Sequence, residues 1–371
     1  MNFYVLLTVF MIILLFSHRK YYLIISDRKY FLHTGFAISF VLFFLAAFRG
    51  EGVGHDTATY TNLASIEERA NVSLSSLSDF TDIDTSIEFV SNYLNSIVYH
   101  LGLNGQWVVI LYAIITIAFI YMSSRRMRIN PAYVMGFFVV LGFYFYSLSA
   151  CRQMCATSVI LYAMTYLKET NKKSRLFFLW IVVAIMIHSM SFIALPLYLV
   201  RVAPDTLPYR KLAWGILVAS LFLTLVKIDF LNQLSIFADS KHLSNYIEAY
   251  GESSTTLFSL AGCWVETGCL FWFFLLKKRG DIDKRMTVYD YLFLFSMLIS
   301  AALLQYDGLV ARVKYNIIIM QCLYLAQLFA RRGIWRIPSN AVVVTVYMML
   351  RIAKNFFFEV ALESDYYFCF L

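Results

Sequence analysis

Charge is what this sequence has least of. Only 15% of its 371 residues are Asp, Glu, Lys or Arg, while 60% are hydrophobic. A water-soluble globular chain of this length needs a far more polar surface, so that class is excluded. Proline is scarce, no Gly/Ser linker or low-complexity tract interrupts the chain, and no internal repeat is visible. The sequence therefore reads as one domain, 1–371. Cysteines are few and make no CxxC pair. Cys151, Cys155, Cys263, Cys269, Cys322 and Cys369 lie mostly in apolar runs and read as small buried hydrophobes. A Walker loop, a dinucleotide glycine pattern and an HExxH helix are also missing, so no nucleotide, cofactor or metal site is expected.

What is present is a succession of apolar runs rich in Phe, Tyr and Trp, as membrane helices and their interfacial belts require. The net charge of +8 is not a nucleic-acid footprint, because Lys and Arg sit in short clusters between those runs. Such clusters mark cytoplasmic loops. The first run, Phe3–Phe16, has its positive charge after it, at Arg19 and Lys20. A signal peptide carries that charge before the run. A first spanning helix with an outside N-terminus fits better, and an integral protein of a cytoplasmic membrane is expected.

Each span needs about 20 apolar residues, and the charges give the direction. Tyr30–Phe48 crosses outward, and 49–104 is a long outer segment with acidic residues at Asp56, Glu67, Glu68, Asp79, Asp82, Asp84 and Glu88. Gln106–Met122 returns to Arg125, Arg126 and Arg128, Ala132–Ser149 crosses outward, and Met154–Leu167 comes back to Lys168, Lys172, Lys173 and Arg175. Leu257–Leu276 descends to Lys277, Lys278 and Arg279; Val288–Leu304, Val310–Phe329 and Val342–Phe358 follow in alternation. One stretch breaks the count. Arg175 places the start of 176–200 inside, and Arg201, Arg210 and Lys211 place the loop after it inside too. Either 176–200 is a broken hairpin with His188 and Ser189 near its tip, or it is one span and Ala213–Ile228 dips in and out. Irregular backbone at that depth must be enclosed by protein or a water-filled cavity.

Ionisable residues in or beside apolar runs are the candidates for chemistry, since an unpartnered charge near a bilayer centre costs at least about 2.5–3.5 kcal/mol. Arg49 ends the second run, Arg152 follows Tyr144–Cys151 with no polar buffer, and Arg312 with Lys314 opens a late run. His188 interrupts an apolar stretch, Glu266 lies mid-helix, and Asp290 lies near an inner end. Arg49, Arg152 and Arg312 all fall at the outer face, where they would make a site for a diphosphate or carboxylate; the planar guanidinium binds such oxygens in a fork. Each has a plainer reading. Arg49 can snorkel to headgroups; Arg152 and Arg312 can pair with Asp307 or acids of the long segment; His188 can be a hydrogen-bonded structural residue; Glu266 can be a contact between helices. A site on the outer face has no access to cytoplasmic nucleotides and requires an already activated substrate, such as a lipid diphosphate-linked sugar.

Several stretches resemble motifs of the EpsG family. Phe48-Arg49-Gly50-Glu51-Gly52-Val53-Gly54-His55-Asp56-Thr57 with Tyr60 is similar to its FRxxxVGxDxxxY signature. Ser86-Ile87-Glu88-Phe89 resembles the following acidic motif, with Phe89 where Pro is common. Arg152-Gln153-Met154-Cys155-Ala156, the Lys-rich turn and Ala184-Ile185-Met186-Ile187-His188-Ser189 are similar to its RQxxA…K…AxxxHxS run. Arg312-Val313-Lys314-Tyr315 is a looser match to a late Arg…Tyr element.

The resemblance implies an all-α polytopic bundle of about ten to twelve membrane helices. It implies a Wzy-like polymerase of extracellular polysaccharide, capsule or O-antigen, a glycosyltransferase working on undecaprenyl diphosphate-linked repeat units without a metal or cofactor. The partners would be the lipid-linked oligosaccharide, membrane lipid and a chain-length regulator protein, with no nucleic acid. Arg49, Arg152 and Arg312, with Gln153, Tyr315 and Tyr60, would hold the substrate and its diphosphate. His188 would act as base; its ordinary titration range suits that task. Asp56 and Glu88 are rivals, although Asp56 is also placed to cap the helix after it. A lipid-linked glycan flippase, an outer-face acyltransferase, a structural assembly subunit and a ligase are the alternatives.

Overall fold

Within a bilayer every backbone N–H and C=O must be satisfied inside the chain, which leaves helices as the means for runs this apolar to cross. The computed structural model describes residues 3–22, 28–54, 56–62, 89–168, 171–225, 257–281, 284–304, 314–330, 338–362, 366 and 368–370. All regular elements among them are helical, as the sequence leads one to expect. In chain order these are α1 (Phe3–Tyr22), α2 (Arg28–Ala47), α3 (Thr57–Thr61), α4 (Phe89–His100), α5 (Gln106–Arg126), α6 (Pro131–Val140), α7 (Phe143–Ser149), α8 (Cys151–Met164), α9 (Asn171–Ser174) and α10 (Leu176–Ile187). A 3-10 helix, Ser189–Val202, precedes α11 (Tyr209–Leu223), α12 (Leu257–Gly280), α13 (Val288–Ala302), α14 (Met320–Phe329) and α15 (Pro338–Leu362). Helix α5 and the 260–280 part of α12 are each long and apolar enough to cross a membrane alone; α6 and α7 qualify as a third span when taken as one bent pair.

The helices gather into two compact units. The first holds Met1–Tyr198, Leu325–Ala330 and Arg351–Leu371, and the second holds the remainder. In the first unit α5 packs on α2 and α8, and α8 packs on α10. The direction of that packing is fixed by rings. Trp180, early in α10, meets Tyr162, late in α8, at 5.2 Å and Phe119, late in α5, at 5.3 Å. Hence α10 runs antiparallel to α8. One end of the unit collects cations: Arg126 lies over the Tyr166 ring at 3.6 Å, with Arg125, Arg128, Lys168 and Arg175 on the same helix ends. Helix α1 begins at the other end, where Tyr4 packs edge-on to Phe145 at 5.1 Å, and runs toward Phe329, which Phe16 meets at 6.4 Å.

Of the two readings of 176–200, the hairpin is the one observed. Helix α10 stops at Ile187, His188 adopts an extended backbone, and the 3-10 helix returns. Tyr198 ends beside the start of α10, 4.5 Å from Phe178 ring to ring, with its hydroxyl 3.2 Å from Ser174 Oγ. The chain therefore leaves the hairpin at the end where it entered, as the basic residues on both sides of it require.

The expected span 132–149 is bent. Helices α6 and α7 meet at 66° around Leu141 and Gly142, and Gly142 has φ 84°. A left-handed residue after a helix C-terminus favours glycine. The break strips the last α6 carbonyls of their helical partners, which at apolar depth costs several kcal/mol each unless other donors arrive. Helix α15 supplies them. Arg351 donates through Nε to the Val140 carbonyl (3.1 Å) and through Nη2 to that of Leu141, and Asn355 Nδ2 reaches Val140 at 3.2 Å.

The second unit has its own polar lock. Asp290, fully buried at the first turn of α13, accepts from Lys277 (3.1 Å), Lys278 (2.9 Å), the Tyr324 hydroxyl (3.1 Å) and the Thr287 N–H (2.9 Å). With Thr287 it forms a capping box. The loop after Val202 meets this region, Met286 N donating to Asp205 O at 3.0 Å.

Candidate functional site

The site begins where α2 runs out. Ala47 ends the helix, and residues 48–54 and 56 form a loop before α3. Three features fix the loop. Val53 is fully buried. Gly54 has φ 86° and lies so close to α7 that a Cβ there would fall on the Leu148 carbonyl. Thr57 donates to the Leu148 carbonyl at 3.0 Å and Val53's at 2.6 Å. The valine and glycine of the signature are thus packing residues that lay the loop on the end of α7.

Arg49 occupies the middle of this corner and is 1% exposed. Its Nε donates to Thr57 Oγ1 (3.2 Å), its Nη1 to the Ala46 carbonyl and its Nη2 to the Cys151 thiol (2.7 Å). Its own carbonyl accepts from Gln106 at the start of α5, at 3.3 Å. Along the outside a short strap from the C-terminal tail holds the same backbone. Phe368 bridges Arg49, Cys369 N donates to Phe48 O at 2.9 Å, and the Tyr366 hydroxyl donates to Leu45 O at 2.5 Å. A narrow recess lies beneath, lined by Arg49, Tyr112, Thr116, Ser147 and Cys151.

Arg152 and Gln153 stand in the first turn of α8, directly after Cys151. That N-terminus has no side-chain cap. Gln153 is buried and accepts from the Tyr146 hydroxyl at 3.0 Å; Arg152 is half-buried. Tyr60 packs edge-on against Tyr112 at 5.9 Å. Burial, then Cys151, pushes the Tyr60 phenol above its ordinary range, Arg152 pulls it down, and Asp56 pushes it up again. Loop and helix start are therefore one electrostatic neighbourhood. Asp56 is half-buried at the N-cap position of α3 but makes no side-chain cap bond.

His188 sits at the tip of the α10 hairpin. Its Nδ1 accepts from Met190 N at 3.3 Å. Because α10 runs antiparallel to α8, the tip lies at the end of the unit where α8 begins, the end of Arg152. Arg49, Asp56, Tyr60, Arg152, Gln153 and His188 thus share one end of the first unit, opposite its cationic end. Tyr315 belongs to the second unit, where it is half-buried beside Lys314, whose Nζ is 5.8 Å from its ring centre. Glu88 and Arg312 lie outside the described residues.

Arg351 escaped the sequence reading. It stands inside the last apolar run, and that break in hydropathy was its available signal. Among the described residues no group of three His, Cys, Asp or Glu is placed to hold a metal ion.

No curated protein and no solved structure matches this chain. The EpsG family model matches residues 32–369, which take in the loop, the α8 start, the hairpin and the C-terminal strap. The chain is a polysaccharide-biosynthesis membrane protein and belongs to the EpsG family, a Wzy-like polymerase-type family.

Proposed function

We propose that the protein is a polysaccharide polymerase that joins undecaprenyl diphosphate-linked oligosaccharide units at the outer face of the cytoplasmic membrane. One observation carries the reading: Arg152, at the uncapped N-terminus of α8, shares one end of the first unit with Asp56, Tyr60, Gln153 and His188, opposite the Arg125–Arg126–Arg175 end. By the positive-inside rule the cationic end faces the cytoplasm, so the Arg152 end and the start of α1 face out.

The chemistry follows from that placement. A hydroxyl of the acceptor repeat unit attacks the anomeric carbon of the donor glycan, and the bond from that carbon to the diphosphate breaks. Negative charge develops on the leaving diphosphate. Arg152 meets it with a guanidinium fork at the positive end of α8. The family resemblance alone assigns Arg312 to diphosphate binding. The hydroxyl proton goes to His188, with Asp56 and Glu88 as rivals. Gln153, Tyr60 and Tyr315 are assigned to sugar hydroxyls. Arg49, with three contacts inside the corner, holds the loop that carries Asp56 and leads into α3 with Tyr60.

The test is glycan synthesis in cells carrying Arg152→Ala, with the amount of protein in the membrane measured alongside. Polymer lost while single repeat units still appear outside supports the reading. Normal polymer at normal protein level contradicts it, and loss of the exported single units as well points to a flippase.

A further inference from the structure

We propose that Arg351 and Asn355 are positioning residues that set the place of Arg152 by holding the break between α6 and α7. Arg351 is 9% exposed and spans two successive carbonyls, Val140 through Nε and Leu141 through Nη2. That is the fork geometry only arginine has; a lysine offers one point charge in its stead. Asn355 doubles the hold on Val140 at 3.2 Å and ties it to Thr8 of α1 at 3.1 Å. Gly142 turns the chain directly under these two side chains, 3.0 Å from Asn355 Oδ1 and 3.6 Å from Arg351 Nη2 measured from where its Cβ would stand.

The break is linked to the site by a short rigid arm. Helix α7 has 7 residues, all buried, and it ends at Ala150, immediately before Cys151 and Arg152. Its carbonyl at Leu148 is also the one that receives Thr57. An arm packed on all sides transmits the angle at its root to its tip. Releasing the Val140 and Leu141 carbonyls lets α7 rotate about Gly142 and moves the α8 start away from the loop that bears Arg49. The effect on polymerisation rests on the function proposed above; the effect on the corner itself does not.

Cys151 reports the corner directly, being 3% exposed at its centre, and Cys322, fully buried in the second unit, is a reference in the same molecule. The purified full chain is treated with N-ethylmaleimide under native conditions, and labelling is resolved by peptide mass spectrometry. Arg351→Gln is expected to raise the Cys151 labelling rate by about tenfold or more with Cys322 unchanged, because a local opening exposes only the groups in that unit. Asn355→Ser should do the same more weakly, and it carries the comparison if Arg351→Gln does not accumulate. Unchanged Cys151 labelling overturns the proposal. So does a parallel rise at Cys322, which marks general loosening. In the same preparations polymer yield should fall as Cys151 labelling rises. Wild-type protein that labels as expected but makes no polymer leaves the positioning role standing and removes the polymerase reading.

Discussion

The guanidinium of Arg49 donates to the thiol of Cys151 at 2.7 Å, across 102 positions of sequence. This contact joins the two best-matched motifs of the chain, the loop after α2 and the start of α8. It also explains why an arginine opens the loop: its three contacts reach α2, which the loop leaves, α3, which it enters, and the first residue of α8.

Arg49→Lys keeps the charge and removes the fork. A single ammonium cannot serve Thr57, Ala46 and Cys151 together, and bonds from a charged donor are worth about 1.5–3 kcal/mol each. The variant should melt at lower temperature than wild type in the same detergent and lose polymer in cells. An unchanged melting temperature would contradict the placement of Arg49.

Gly54→Ala should be far costlier than Gly102→Ala. Both glycines have positive φ, 86° and 64°, which costs a residue with a Cβ about 1–2 kcal/mol. Only Gly54 also meets backbone, at Leu148, whereas nothing approaches Gly102. Membrane levels of the two variants, compared side by side, check this; equal loss would contradict the close approach.

Asp290→Ala takes the shared carboxylate from buried Lys277 and Lys278, leaving Lys278 only the longer contact to Asp281 at 3.7 Å. Breaking a buried pair in this way costs about 3–5 kcal/mol. The variant should accumulate poorly or melt early while the first unit keeps its contacts, which slow labelling of Cys151 would report.

Cys369 is exposed and tied to Phe48 at the Arg49 end of the first unit. A membrane-impermeant maleimide added to intact cells should label it. Arg128→Cys, at the cationic end, should label only after permeabilisation. The reverse pattern would invert the orientation on which the outer-face reading rests.

Much of this was legible in the residues. The apolar run 106–122 became α5 nearly as read, because length and overall hydropathy alone mark a spanning helix there. The hairpin at 176–200 was one of two readings that charge parity left open, the other being a single span there with 213–228 dipping in and out. The break at Gly142 was not legible. A glycine in an apolar run is ordinary, and the donors that make the break tolerable, Arg351 and Asn355, lie more than two hundred positions away. Nor does spacing tell that Val53 and Gly54 pack against α7, or that Arg49 turns inward to Cys151 in place of outward to headgroups. Those are facts of tertiary contact, which local pattern does not encode.

The most direct test of the outer-face polymerase is polymerisation by the purified protein given only undecaprenyl diphosphate-linked repeat units, wild type beside Arg152→Ala. A ladder of glycan lengths from wild type, and none from an Arg152→Ala protein with the same melting temperature, is the expected result. No ladder from folded wild type, or the same ladder from both, would contradict it.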